Sequence, residues 1–173
     1  MLRGEAVITY EDFRKINEQI EDADARYKNP RNLCSGSVRQ LNNEITAQRN
    51  VRFFAFALVK ADDVDFQNSR KEQFLFLQKL GFEVVEFKEV DSDTILSAVE
   101  EFENKVAGYS VPSDGLVLIY DDIAYGLSLG RTAKFPRDSI AFKWADETAE
   151  TTLREIEWSA SRTGPVSYTH LTL

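Results

Sequence analysis

Lys28-Asn-Pro-Arg31-Asn-Leu-Cys-Ser-Gly-Ser-Val-Arg39-Gln40 is the stretch on which the fold turns. Two arginines flank a small-residue segment rich in backbone N–H and hydroxyl donors. An arginine fork matches phosphate oxygens, and small residues let a backbone come close to them. Taken by composition alone, the same residues read better as a solvated loop with incidental arginines. The surrounding Tyr27 to Asn50 is polar, contains Asn29-Pro30 and Gly36, and offers few core candidates. A long loop or an irregular ligand-facing segment is expected there.

On either side the patterns are regular. Residues 2 to 8 read as a short strand, and Thr9-Tyr10-Glu11-Asp12 as a capping box opening a helix with Phe13, Ile16 and Ile20 on one face. Val51 to Val59 is almost wholly apolar and aromatic, which predicts a central strand buried on both faces. Ser69 to Leu80 has helical spacing at Phe74, Leu77 and Leu80 and is closed by Gly81; a strand is expected at Phe82 to Phe87. Ser92 to Val106 predicts a second amphipathic helix with Ile95, Leu96, Val99, Phe102 and Val106 inward. Apolar strands follow at 115 to 120 and at Ser139 to Trp144. This mixed order of elements predicts an α+β fold with largely antiparallel sheet rather than a doubly wound one.

Bulk properties set limits. The chain has 173 residues, 43% hydrophobic and 29% charged, which suits a globular domain rather than disorder. No run of eighteen apolar residues and no secretory pattern occurs, so a cytoplasmic protein without membrane contact is expected. Cys34 is the single cysteine and His170 the single histidine, which excludes an internal disulfide and a zinc cluster. A net charge of −8 runs against nucleic-acid binding, because phosphate neutralisation supplies much of that affinity. Local clustering of cations decides more than the sum.

Two further segments place polar groups beside apolar strands. Ser113-Asp114-Gly115 leads into Leu116 to Tyr120; a carboxylate there suits a ribose hydroxyl or a metal-bound water, although Asp-Gly is above all a turn sequence. Lys143 sits inside the otherwise apolar strand Ser139 to Trp144; at an inward position it needs an anionic partner or a ligand, while alternation could turn it outward to water, and periodicity leaves the two open.

In order, these segments resemble the adenylation domain of bacterial NAD-dependent DNA ligases. The matching stretches are Arg3-Gly4-Glu5, Asn29-Pro30-Arg31-Asn32 through Arg39-Gln40-Leu41 with Ile45-Thr46-Ala47, Phe53-Phe54-Ala55-Phe56, Asp114-Gly115, Leu129-Gly130-Arg131-Thr132 and Ala141-Phe142-Lys143. The resemblance implies a covalent nucleotidyltransferase fold, NAD as substrate, magnesium, and nicked double-stranded DNA as the partner of a monomer. It implies that Glu5 contacts the AMP ribose or its metal, that Arg31 and Arg39 hold phosphates of the nucleotide and nick, and that Phe56 stacks on adenine. Asp114 with Gly115 would form the fourth nucleotidyltransferase motif, and Lys143 in the fifth would contact the AMP phosphate.

The chain also departs from the family pattern. The Lys-x-Asp-Gly motif that carries the nucleophile precedes Arg-Gly-Glu in the family and is absent here, so no catalytic residue is assigned and the chain is expected not to self-adenylate. Ile119 stands where the fourth motif usually has a lysine; Lys134 or Arg137 are candidates for the missing charge, and a non-catalytic binding module or an ATP-dependent nucleotidyltransferase are the rival readings. The expected division is a partial, amino-terminally truncated adenylation domain over 1–150, the start of an OB-fold over 151–166, and an unmatched, foreign tail over 167–173 that frays.

Overall fold

Leu2–Val7 forms β1 and Arg52–Leu58 forms β2, paired antiparallel, in a computed structural model that describes residues 1–144 in full and 152–161 and 164–172 as strand backbone. Glu83–Val84 forms β3, which adds to β2 in parallel, so β2 is central in the order β1-β2-β3. Leu116–Ile119 (β4) and Ser139–Phe142 (β5) make a separate antiparallel pair. The fold is mixed α+β with small, mainly antiparallel sheets, as the element order predicts.

The α-helices among the described residues are α1 (Tyr10–Glu18), α2 (Pro30–Ser37), α3 (Asn43–Gln48), α4 (Arg70–Lys79), α5 (Ile95–Val106) and α6 (Ile123–Ser128). Their ends follow local chemistry. The Thr9 hydroxyl accepts the Asp12 N–H at 3.0 Å and opens α1 as the capping box requires, and Ser69 accepts from Glu72 to open α4. Gly81, at φ 87°, closes α4: its N–H reaches the Gln78 carbonyl while Phe82 N–H reaches that of Leu77, the paired bonds of a Schellman end.

The segment 27–50 is not a loop. Asn29 accepts the Asn32 N–H at 2.8 Å, Pro30 fits the first helical turn, and α2 follows with Leu33 and Ser37 fully buried and Cys34 nearly so. Small residues hide this helix from a periodicity reading, since Cys34 and Ser37 serve as its core face where Leu or Ile is the usual signal. Ile8, Leu33 and Cys34 pack with Ala6, Phe13, Ile16, Tyr27 and Val51, and a second cluster joins Ala55, Leu58 and Leu77 to Leu2, Ala61, Phe66, Phe76 and Val84. Each fully buried leucine contributes about 1.5–3 kcal/mol by leaving water.

Other expectations need correction. β2 is central but not covered on both faces: Phe53 and Phe56 stay more than 40% exposed, because α4 packs on β2 and α2 on β1 without enclosing the sheet. The strand at 82–87 shrinks to Glu83–Val84. In α5 the inward line is Ala98 and Phe102; Leu96 lies about 200° around the helix from Ala98 and is 75% exposed.

The chain divides into two compact units, Met1–Lys143 and Trp144–Leu173. The second contains an antiparallel hairpin of Thr152–Ser161 (β6) and Gly164–Thr172 (β7). The expected fraying of the tail is corrected here: Ser167 to Thr172 pair with Trp158 back to Thr152. Among the described residues no helix is long and apolar enough to cross a membrane.

Candidate nucleotide site

The carboxylate of Asp114 gathers the site. Its Oδ2 accepts from the Lys143 ammonium at 3.2 Å and lies 3.7 Å from the Arg31 guanidinium, so residues from three distant segments meet on one oxygen. The Lys143 hydrogen bond, and then the charges of Lys143 and Arg31, hold the Asp114 carboxyl below its ordinary range. All three side chains are more than 60% exposed, so an anion from solvent reaches the two cations without opening a core. Lys143 is thus neither buried nor unpaired: it follows the last residue of β5, faces water, and has an anionic partner.

The sequence explains the approach. Asp114-Gly115 precedes β4, whose Leu116 pairs with Phe142 at the end of β5. A side chain at Gly115 would run into the Phe142 carbonyl, with the Lys143 Cα 3.3 Å and Cγ 3.2 Å away. Glycine lets the two strands close at this end, and the closure sets Lys143 against Asp114. Arg31 comes from the first turn of α2, which the Leu33 and Cys34 anchors fix in the core.

Beside Arg31 lies a small hollow of about 20 Å³, room for about one water, lined by Glu5 to Ile8 of β1 and its end, by Pro30, Arg31 and Cys34 of α2, and by Pro112. Glu5 is therefore brought to Arg31. Burial, reinforced by the Glu5 charge, pushes the Cys34 thiol up, so it faces the hollow as a neutral group. Phe56 belongs to β2, where Arg3 pairs with Ala57 and Gly4 with Ala55, leaving Phe56 as the extra residue of a bulge. This ring is 45% exposed and is not among the residues that line the hollow. Arg39 is not drawn in: it is exposed past the end of α2 and has no ion pair among the described residues.

Three positions escaped the sequence reading. Gly4 matters because the Phe53 ring crosses directly over it, leaving no room for a Cβ. Arg70 and Asp138 form a largely buried pair at 2.5 Å, and Arg70 Nε also donates to the Tyr120 carbonyl at 3.2 Å. That pair ties the start of α4 to the far ends of β4 and β5, and so positions the ladder that carries Asp114 and Lys143. Its only signal in sequence is a carboxylate, Asp138, immediately before an apolar strand.

A match to the family model for the NAD-dependent DNA ligase adenylation domain covers residues 1–147. The chain belongs to this family. It is 62% identical over 167 residues to the DNA ligase of Lachnoclostridium phytofermentans and 61% identical over 167 to that of Ruminiclostridium cellulolyticum. To the DNA ligase of Bacillus thuringiensis it is 37% identical over 170. Each alignment covers 96% of the chain, which spans about a quarter of the length of these relatives.

Among the described residues no group of three or more His, Cys, Asp or Glu comes together to hold a metal ion, and Asp114 is already engaged by two cations. The donor set does not fit a protein-held magnesium ion. Such an ion prefers phosphate and water oxygens in any case.

Proposed function

We propose that this ligase adenylation domain holds the AMP moiety for nick sealing in double-stranded DNA, and that the 173-residue chain itself does not form lysyl-AMP. The observation that supports this most is the meeting of Arg31 and Lys143 on Asp114 beside a hollow lined by Glu5. In this reading Lys143 and Arg31 take up negative charge on the transferring phosphoryl, Arg39 reaches a nick phosphate, Glu5 holds the ribose and Phe56 stacks on adenine. Asp114 keeps Lys143 aimed until phosphate arrives, and Gly115 provides the close approach.

The chemistry implied by the family is amine attack on the α-phosphorus of NAD. A P–N bond forms, the P–O bond to nicotinamide mononucleotide breaks, and AMP then passes to a 5′-phosphate from which the 3′-hydroxyl displaces it. The residues present here contribute positioning and charge stabilisation rather than the nucleophile, since no Lys-x-Asp-Gly occurs among them. Magnesium is assigned no protein ligand and carries no step. A monomeric cytoplasmic enzyme, an adenylation domain over 1–150, an OB-fold opening over 151–166 and an unmatched tail over 167–173 belong to the same reading.

Ile119 favours a second reading, a nucleotide- or DNA-binding module of the same fold without catalysis. A chimera separates them: the chain replaces its counterpart in the Lachnoclostridium phytofermentans ligase. Sealing of a nick with NAD and not with ATP is expected. No sealing favours the binding module, and sealing driven by ATP contradicts the assignment of substrate. The isolated chain mixed with labelled NAD should stay unlabelled.

A further inference from the structure

Many cations of the first unit are neutralised internally. Lys15, Arg52, Lys60, Arg70, Lys71, Lys88, Lys105 and Lys143 each pair with a carboxylate, as does Arg31. The turn between α6 and β5 is different. From Ile123 to Arg137 the sequence carries Arg131, Lys134 and Arg137 and no Asp or Glu. All three are exposed, and none has an ion pair among the described residues.

The turn is also built to hold a shape. Thr132 N–H donates to the Phe135 carbonyl at 2.8 Å, Phe135 N–H returns to the Thr132 hydroxyl at 2.9 Å, and Arg137 N–H reaches the Gly130 carbonyl at 3.1 Å. Arg131 and Pro136 form an isolated bridge. At its tip Phe135 is 68% exposed beside Lys134. The nearest carboxylate in sequence, Asp138, is turned inward onto Arg70 and so leaves the three charges unopposed. The turn leads into Ser139, opposite Ile119, whereas Asp114 and Lys143 lie just past the other end of the same ladder, with Lys143 four residue steps from Ser139, about 13 Å along.

We infer that Arg131, Lys134 and Arg137 form a second anion-contacting element that grips the phosphate backbone of duplex DNA, separate from the nucleotide site. A fixed cationic turn in a chain of net charge −8 answers the charge objection locally, because backbone contact needs a few cations in the right place rather than a basic protein. The inference rests on the ligase reading for the choice of DNA over another polyanion.

The test measures binding of a nicked duplex to the intact chain across a salt series, for the native protein and for the triple variant Arg131→Gln, Lys134→Gln, Arg137→Gln. AMP binding is followed in parallel, and circular dichroism checks that the variant folds. The expected result is a salt slope shallower by about 2 to 3 in the variant, roughly 0.9 for each phosphate that is no longer neutralised, with AMP affinity unchanged. An unchanged slope overturns the inference while leaving the ligase reading intact. Weakened AMP affinity with an unchanged slope also overturns it and moves the turn to the nucleotide, in place of the lysine missing at Ile119. Absence of any duplex binding by the native chain overturns the inference and the DNA-holding part of the reading together.

Discussion

Arg31 and Lys143 meet on the same carboxylate oxygen, but the regions that deliver them are built on different principles. Arg31 rides on α2, whose Leu33 and Ser37 are fully buried and whose start is fixed by Asn29 and Pro30. Lys143 rides on a two-stranded ladder with Val117 67% and Ile140 66% exposed, tied at its far end by the Arg70–Asp138 pair. One half of the site is held by apolar burial; the other is held by the close approach at Gly115 and a buried ion pair. A site of this kind has one rigid wall and one that responds to its polar ties.

Mutations that separate the two walls give the sharpest contrast. Leu33→Ala empties a fully buried position and should cost about 2–5 kcal/mol in denaturant unfolding, whereas Val117→Ala on the exposed ladder should stay within about 0.5 kcal/mol. Equal losses would remove the distinction. Asp138→Asn leaves the largely buried Arg70 charge without its counter-ion, and a loss of about 1–3 kcal/mol is expected, together with weaker AMP binding because the ladder loosens.

Gly115→Ala tests the closure directly. A methyl group meets the Phe142 carbonyl, so the strands must part at the Lys143 end, with a stability loss of about 1–3 kcal/mol and a larger proportional loss of AMP affinity. Full AMP affinity in that variant would detach Lys143 from the site. The smallest effect is electrostatic. Because the folded carboxyl of Asp114 is depressed, its stabilising contribution is present above the ordinary carboxylate range and fades as pH falls through the depressed value. The stability gap between native protein and Asp114→Asn should therefore shrink on acidification, and by little, since the pair is well exposed.

How much is legible in sequence follows the same division. Strong periodicity and end signals locate α1, α4, β1, β4 and β5, because Thr9, Ser69 and Gly81 state their chemistry locally. The helix carrying Arg31 escapes, since its buried face consists of Leu33, Cys34 and Ser37 and its cap is an Asn-Pro that also reads as a turn. Leu96 and the outer face of β2 mislead for the converse reason: apolar identity says that burial is favourable, not that a covering element is present. Asp114, Gly115, Lys143 and Arg31 stand out from motif order, while Arg70 and Asp138 depend on an interaction between residues 68 apart that no local pattern encodes.

The central claim is that Arg31, Asp114, Gly115 and Lys143 form one nucleotide-binding unit. Its most direct test is titration of the isotope-labelled chain with AMP, followed by the backbone amide signals. The signals of those four residues should shift together along one saturation curve, with Glu5 and Phe56 on the same curve and the Lys88–Glu101–Lys105 network of α5 unmoved. Independent curves for Arg31 and Lys143, or shifts confined to α5, would contradict the account.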